Sequence, residues 1–81
     1  MEKVQSVRRN YTDLSGREHE LEYILWNADG SYGIAIEDAG GYGDRVWNLT
    51  TRRDRAEELF SLLVRHLVTP ISLRDVLEDL L

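Results

Sequence analysis

Histidine and cysteine are the side chains that most often give a small protein metal-binding, acid–base or nucleophilic chemistry. This chain has two histidines, His19 and His66, and no cysteine. No HExxH or His-x-His spacing joins the histidines, and no thiolate is available as a ligand or nucleophile. We therefore expect both histidines to be half-exposed surface residues, with no metal and no cofactor.

Two other patterns resemble catalytic motifs. The glycine-rich run at 40–43 lacks the GxxxxGK[ST] spacing and precedes a predicted strand, so it is interpreted as a hairpin tip. The acidic pairs Glu57 with Glu58 and Glu78 with Asp79 are helix neighbours that point about 100° apart, so they cannot clasp one substrate. The sequence therefore predicts a protein that is not an enzyme.

Charge is unevenly distributed along the chain. The net charge is −5, and no lysine or arginine lies between His19 and Asp44, which disfavours nucleic acid as a partner. Arg52, Arg53 and Arg55 cluster at a predicted helix start, where the helix dipole disfavours cations. The cluster has two interpretations: the arginines pair with carboxylates of the sheet, which we favour, or they form an anion site.

The absence of cysteine fits a reducing compartment. Residues 1–10 contain no apolar stretch of a secretory signal, and no apolar run is long enough to span a bilayer. We therefore expect a cytoplasmic protein that does not contact membranes. The chain has no repeat or linker, so residues 1–81 are predicted to form a single domain.

The elements that position these side chains follow from periodicity. Turn signals at 13–16, 27–30 and 39–44 recur at the rhythm of consecutive hairpins. Alternation places Leu21, Tyr23 and Leu25 on one face of the second strand, and Ile34 on the helix-covered face of the third. Four strands are predicted, at 3–12, 19–27, 32–38 and 45–49.

Two amphipathic helices follow the strands. The period changes to 3.6 over about 53–68, with Thr51 or Asp54 as the cap. Ser72 is predicted to cap the second helix, with Ile71 stapled against Val76, and the apolar stripe runs to residue 81. The predicted fold class is α+β: a four-stranded antiparallel β-meander followed by two amphipathic helices packed on one sheet face.

Part of the sequence resembles a known family. The pattern Tyr32-Gly33-Ile34-x-Ile36, with Thr69-Pro70-x-x-Leu73-x-Asp75-Val76-x-Glu78-Asp79-x-Leu81, is similar to short uncharacterised proteins from clostridia and related Firmicutes. The glycine-rich turn and the arginine cluster do not match that pattern. The resemblance implies a bacterial origin and one folded unit, and it carries no activity, cofactor, partner or site.

The sheet face opposite the helices is the candidate interaction surface, and its predicted residues are Ile24, Trp26, Val46 and Trp47. Alternation puts Trp47 and Leu49 on one face of the last strand and Val46 on the other, and register decides which faces inward. Exposed tryptophans would mark a partner, because such side chains are enriched at interface hot spots. In the alternative, both indoles fold over core edges in a monomer.

The leading interpretation is a small cytoplasmic protein-interaction module, of adaptor or regulatory type, with a protein partner or a second copy on the sheet. The alternative is a binder of small anionic ligands or nucleic acid that uses Arg52, Arg53 and Arg55.

Overall fold

The chain forms a sheet first and helices second. The computed structural model describes residues 1–81. The sheet is antiparallel with strand order β1-β2-β3-β4, so each strand pairs with its neighbour in the chain. The predicted α+β meander with two helices is confirmed. Six strand ends lie one or two residues beyond those predicted, and the ends at Thr12 and Asp38 coincide with them. The elements are β1 (Glu2–Thr12), β2 (Glu18–Ala28), β3 (Ser31–Asp38), β4 (Gly43–Thr50), α1 (Arg53–Arg65), a 3₁₀ turn (Pro70–Ser72) and α2 (Leu73–Leu80).

The central hairpin of β2 and β3 is fixed by its turn. Asp29 and Gly30 both have positive φ, 54° and 89°, which is the backbone of a two-residue turn that matches strand twist. The Asn27 side-chain oxygen accepts a hydrogen bond from the Gly30 N–H at 3.0 Å. The turn sets the register, because it places Asn27 opposite Tyr32 and Trp26 opposite Gly33.

The core lies between one sheet face and the two helices. The alternation of β2 and β3 is as predicted, since alternate residues over 21–25 and 32–36 are buried under the helices. Burying such a side chain contributes roughly 1.5–3 kcal/mol, so this layer supplies most of the hydrophobic stabilisation. Its members are Leu21, Tyr23, Leu25, Tyr32, Ile34, Ile36, Ala56, Leu59, Phe60, Leu63, Val68, Leu73 and Leu77.

Strand β4 departs from simple alternation. Val46 pairs with Ile34 and Thr50 with Tyr32, so three residues of β4 oppose the single Gly33 of β3. The two extra residues of β4 form a bulge in which Asn48 has a φ of 57°, a backbone region that asparagine tolerates better than most residues. Val46 and Leu49 therefore both pack against the core, so Leu49 does not share a face with Trp47 as alternation predicted. Val46 is thus not part of the candidate interaction surface.

Helix α1 ends three residues earlier than predicted. Leu67 has a φ of 53°, and its N–H bonds the Val64 carbonyl oxygen at 3.2 Å. The Val68 N–H returns to the Leu63 carbonyl oxygen at 3.1 Å, which completes a Schellman motif with leucine in the position that glycine usually takes. The reversal buries Val68 in the core, and that burial favours the strained backbone.

The predicted caps are wrong at both helices. Arg52 occupies the extended N-cap position of α1 and no side chain caps the helix, so neither Thr51 nor Asp54 fills that role. Ser72, the predicted cap of α2, has helical backbone angles and makes no capping bond.

The second helix is entered through a turn that begins earlier than predicted. Thr69 is extended, and Pro70 then starts a 3₁₀ turn, because the fixed φ of proline suits the first position of a helix. Ile71 lies in this turn and is 94% exposed, so it cannot staple against Val76.

Candidate interaction surfaces

The face of the sheet that carries no helix is called here the outer face, defined by Ile24, Trp26, Ala35 and Trp47. Pairing across the ladder puts Ile24 beside Ala35 and Trp26 beside Gly33. Both tryptophans are half-buried, whereas Ile24 is only 3% exposed. The expectation that Ile24 would be exposed is therefore wrong, and the indoles form the accessible apolar part of this face.

Trp47 lies directly on the backbone of β3. A Cβ atom added to Gly33 would lie 2.5 Å from Trp47 Cε3 and 2.8 Å from the Val46 carbonyl oxygen. Only glycine leaves room for the ring, and the ring in turn covers the backbone that glycine leaves bare. The Tyr32-Gly33-Ile34 pattern thus has a packing function that the sequence reading did not assign.

Trp26 is contacted from the first strand. Lys3 pairs with Trp26 across the β1–β2 ladder, and its Nζ lies 5.6 Å from the centroid of the indole ring. This distance is within the range of a cation–π contact. Lys3, Trp26 and Trp47 therefore lie in one row across the sheet, with Trp47 covering Gly33 of β3.

Charged residues on the outer face are paired with each other. Glu22 and Glu37 are directly opposite on β2 and β3, an arrangement that repels unless cations neutralise it. Arg8 lies 4.0 Å from Glu22, and Arg45 lies 3.3 Å from Glu37. Ser6 also donates to Glu22 at 2.7 Å. This part of the face is close to neutral although the whole chain is acidic.

The arginine cluster is paired within helix α1. The expectation that sheet carboxylates would be the partners is wrong, because each arginine pairs with an acidic residue of helix α1. Arg53 and Arg55 use the i,i+4 and i,i+3 spacings that neighbouring helix turns allow, whereas Arg52, the N-cap residue, pairs two residues ahead. The pairs are Arg52 with Asp54 at 2.6 Å, Arg53 with Glu57 at 2.8 Å, and Arg55 with Glu58.

These pairs account for the cluster without a ligand. The hydrogen bond from Arg52 lowers the pKa of Asp54, and the same bond raises the pKa of Arg52. Arg55 also donates to the Leu80 carbonyl oxygen at 2.8 Å, which ties the start of α1 to the end of α2. The anion-site alternative would require these bonds to be given up.

The two histidines have different surroundings. His19 Nε2 lies 2.7 Å from Asp13 Oδ2, and its ring stacks on Tyr11 with centroids 4.9 Å apart. His66 is exposed at the end of α1. Hydrogen bonds from Ser15, and then from His19, hold the pKa of Asp13 well below its usual range. No group of three His, Cys, Asp or Glu side chains is placed to hold a metal ion.

A cleft that the sequence analysis missed lies at one end of the sheet. This end cleft has a volume of about 560 Å³ and is formed by the β1–β2 hairpin, the β3–β4 turn and the α1–α2 connection. Tyr42 and Ile71 are 79% and 94% exposed at this site. Its main lining residues are Tyr11, His19, Asp38, Tyr42, Pro70 and Ile71.

The glycine-rich turn that carries Tyr42 is an ordered hairpin connection. Asp38 Oδ1 accepts hydrogen bonds from the Gly40 and Tyr42 N–H groups at 2.9 and 3.0 Å. Gly41 has a φ of 84°, which places a glycine where the turn requires a left-handed backbone. The interpretation of this run as a hairpin tip is correct, and its aspartate holds Tyr42 beside the cleft.

Two carboxylates line the end cleft, and they differ in their partners. Asp44 accepts two hydrogen bonds from Arg74, at 2.8 and 3.0 Å, which lower its pKa. Asp38 bonds only backbone N–H groups through Oδ1, and no arginine or lysine pairs with it. The lining contains no Lys or Arg, so Asp38 carries an uncompensated negative charge.

The fold and these surfaces define a small α+β domain whose helices cover one sheet face. The chain belongs to a family of unknown function, DUF6514, which matches residues 2–81. The predicted resemblance to an uncharacterised family is confirmed at this level. No curated protein and no solved structure matches the chain. None of its helices has the length and apolar character needed to cross a membrane.

Proposed function

We propose that the protein is a small, non-enzymatic interaction module of the bacterial cytoplasm that self-associates through its outer face. The observation that carries the proposal is the pair of half-buried indoles, Trp26 and Trp47, placed on either side of Gly33 on a sheet face without a helix. Tryptophan at the centre of an apolar patch is the side chain most enriched at interface hot spots.

The outer face is large enough for a specific dimer. Four strands spaced ~4.8 Å apart, taken over the eight residues of the shorter strands β3 and β4 at ~3.3 Å per residue, give a planar area of roughly 500 Å². Two such faces would bury about 1,000 Å² in total, the lower limit for a specific interface. An 81-residue chain also gains more from added burial than a larger domain does.

Charge on the outer face permits two acidic chains to meet there. A two-fold axis brings the same patch of each copy together, so a face with one dominant charge would repel itself. Here Glu22 and Glu37 are balanced by Arg8 and Arg45, and these pairs can exchange partners across a dimer. The second copy is therefore favoured over an oppositely charged partner.

Sedimentation equilibrium tests the proposal. Between about 1 μM and 1 mM, a range that covers association free energies of about −8 to −4 kcal/mol, the wild type should move from monomer to dimer. Trp26→Arg adds charge to the outer face next to Lys3 and should remain monomeric. The matched control is Ser61→Arg, which adds the same charge on the exposed side of α1, away from this face.

Circular dichroism of both variants shows whether the fold is retained. A wild type that stays monomeric throughout the range would exclude self-association. A folded Trp26→Arg variant that still forms dimers would exclude the outer face as the interface.

A further inference from the structure

The end cleft has an exposed apolar wall that the fold does not explain. The chain has five exposed large hydrophobic side chains, and three of them are at the termini or on the β1–β2 turn: Met1, Leu14 and Leu81. The other two, Tyr42 and Ile71, lie on the cleft. The cleft volume of about 560 Å³ falls within the range typical of ligand sites.

The charge of the cleft selects the kind of ligand. Asp44 is neutralised by Arg74, whereas Asp38 has no cationic partner within the chain. The lining contains no Lys or Arg and includes Asp38, so its charge disfavours an anionic ligand. A cation gains from Asp38 without having to displace an existing ion pair.

Aromatic rings in the cleft favour one cation over others. Tyr11 and Tyr42 line the site, and Tyr11 is stacked on His19. A guanidinium group stacks on aromatic faces and bonds carboxylates in a planar geometry, whereas an ammonium is compact and strongly hydrated. Apolar neighbours of the cation would rest against Ile71.

We propose that the end cleft binds an arginine side chain with adjacent apolar residues in a segment of a partner protein. The guanidinium group is drawn to Asp38, and the apolar neighbours cover Tyr42 and Ile71. The end cleft is separate from the outer face, so peptide binding there is tested independently of self-association.

The probe is a capped pentapeptide with arginine at its centre, leucine on either side and glycine at both ends. Binding is followed by ¹H–¹⁵N shift changes of the full chain. The expected result is saturable shifts at cleft residues, with a Kd of roughly 1 mM or below. A counterpart peptide with citrulline, which has the shape of arginine without its charge, should bind about fivefold more weakly.

Asp38→Asn removes the charge but keeps a side-chain oxygen that can accept the two turn hydrogen bonds. It should weaken the arginine peptide about fivefold and leave the citrulline peptide unchanged. Asp29→Asn is the matched control, because it makes the same charge change in the turn at the opposite end of the sheet. Tyr42→Ala should weaken both peptides.

Three results would overturn the proposal. The first is no saturable binding, and the second is equal binding of the arginine and citrulline peptides. The third is a change in the chemical shifts of cleft residues with protein concentration in the absence of peptide. The occupant would then be a second copy, whose exposed Leu14 and Arg17 on the β1–β2 turn could enter the cleft.

Discussion

Tyr23 connects the sheet to the end of helix α1 through a single buried hydrogen bond. Its side chain is fully buried, and its hydroxyl donates to the Val68 carbonyl oxygen at 2.8 Å. Val68 is the residue that follows the strained Leu67, so the bond holds the reversal that turns the chain toward α2. Tyr23→Phe removes the hydroxyl while keeping the ring.

The magnitude follows from burial. A buried carbonyl left without its donor costs about 1–3 kcal/mol, because it loses water in the folded state without gaining a partner. A chain of 81 residues has an unfolding free energy of roughly 4–12 kcal/mol. A loss of about 2 kcal/mol should lower Tm by roughly 8–16 °C in a domain of this size.

Urea unfolding of Tyr23→Phe and Tyr42→Phe provides the test. Tyr42 is exposed and makes no side-chain hydrogen bond, so the same chemical change there should leave the unfolding free energy within about 0.5 kcal/mol. If the two variants were equally stable, the hydrogen bond to Val68 would not contribute as argued.

Alkaline pH gives Tyr23 a second signature. Burial raises the pKa of Tyr23, so the folded state favours the neutral phenol. Its contribution to stability is complete below the ordinary tyrosine pKa of ~10 and is lost as pH rises from that value through the raised pKa of the folded state. Tyr23→Phe should lose less stability between about pH 9 and 11 than the wild type does, and an identical pH dependence would contradict the assignment.

Three further changes test other parts of the structure. Gly33→Ala should lift the Trp47 ring from the sheet, cost about 1–3 kcal/mol in urea unfolding and shift tryptophan emission to longer wavelength; unchanged emission would contradict the packing. Leu67→Val should lower stability by about 1 kcal/mol or more, because a β-branched residue resists positive φ, whereas Leu67→Gly should not; the reverse order in thermal unfolding would contradict the strain. Asp13 has a lowered pKa, so its contribution to stability is complete above pH ~3.9 and is lost as pH falls. Asp13→Asn should therefore flatten the decline of Tm below about pH 5, and an unchanged decline would contradict this assignment.

Local periodicity was sufficient to predict the central hairpin of the sheet. The strands β2 and β3 alternate without interruption, and the turn at Asp29 and Gly30 fixes their register, so the buried face could be predicted. Strand β4 could not be predicted in the same way. The bulge at Asn48 places Leu49 on the core face with Val46, whereas alternation predicts it on the face of Trp47. Asparagine was the available signal, since it tolerates positive φ.

The end cleft depends on contacts that no local pattern contains. Tyr42 belongs to the β3–β4 turn and Ile71 to the α1–α2 connection, and only the tertiary fold brings them to one site. Ile71 was interpreted as a helix staple because it precedes a serine, whereas Pro70 had already begun the turn. An arginine pair, by contrast, could have been predicted from the sequence, because Arg53 and Glu57 are four residues apart on one helix.

The most direct test of self-association through the outer face is an isotope-filtered NOE measurement on a mixture of labelled and unlabelled chains. Such a mixture reports only contacts between different copies. Self-association through the outer face predicts intermolecular contacts from the indole protons of Trp26 and Trp47. Intermolecular contacts confined to α1, α2 or the end cleft, or none at concentrations near 1 mM, would contradict it.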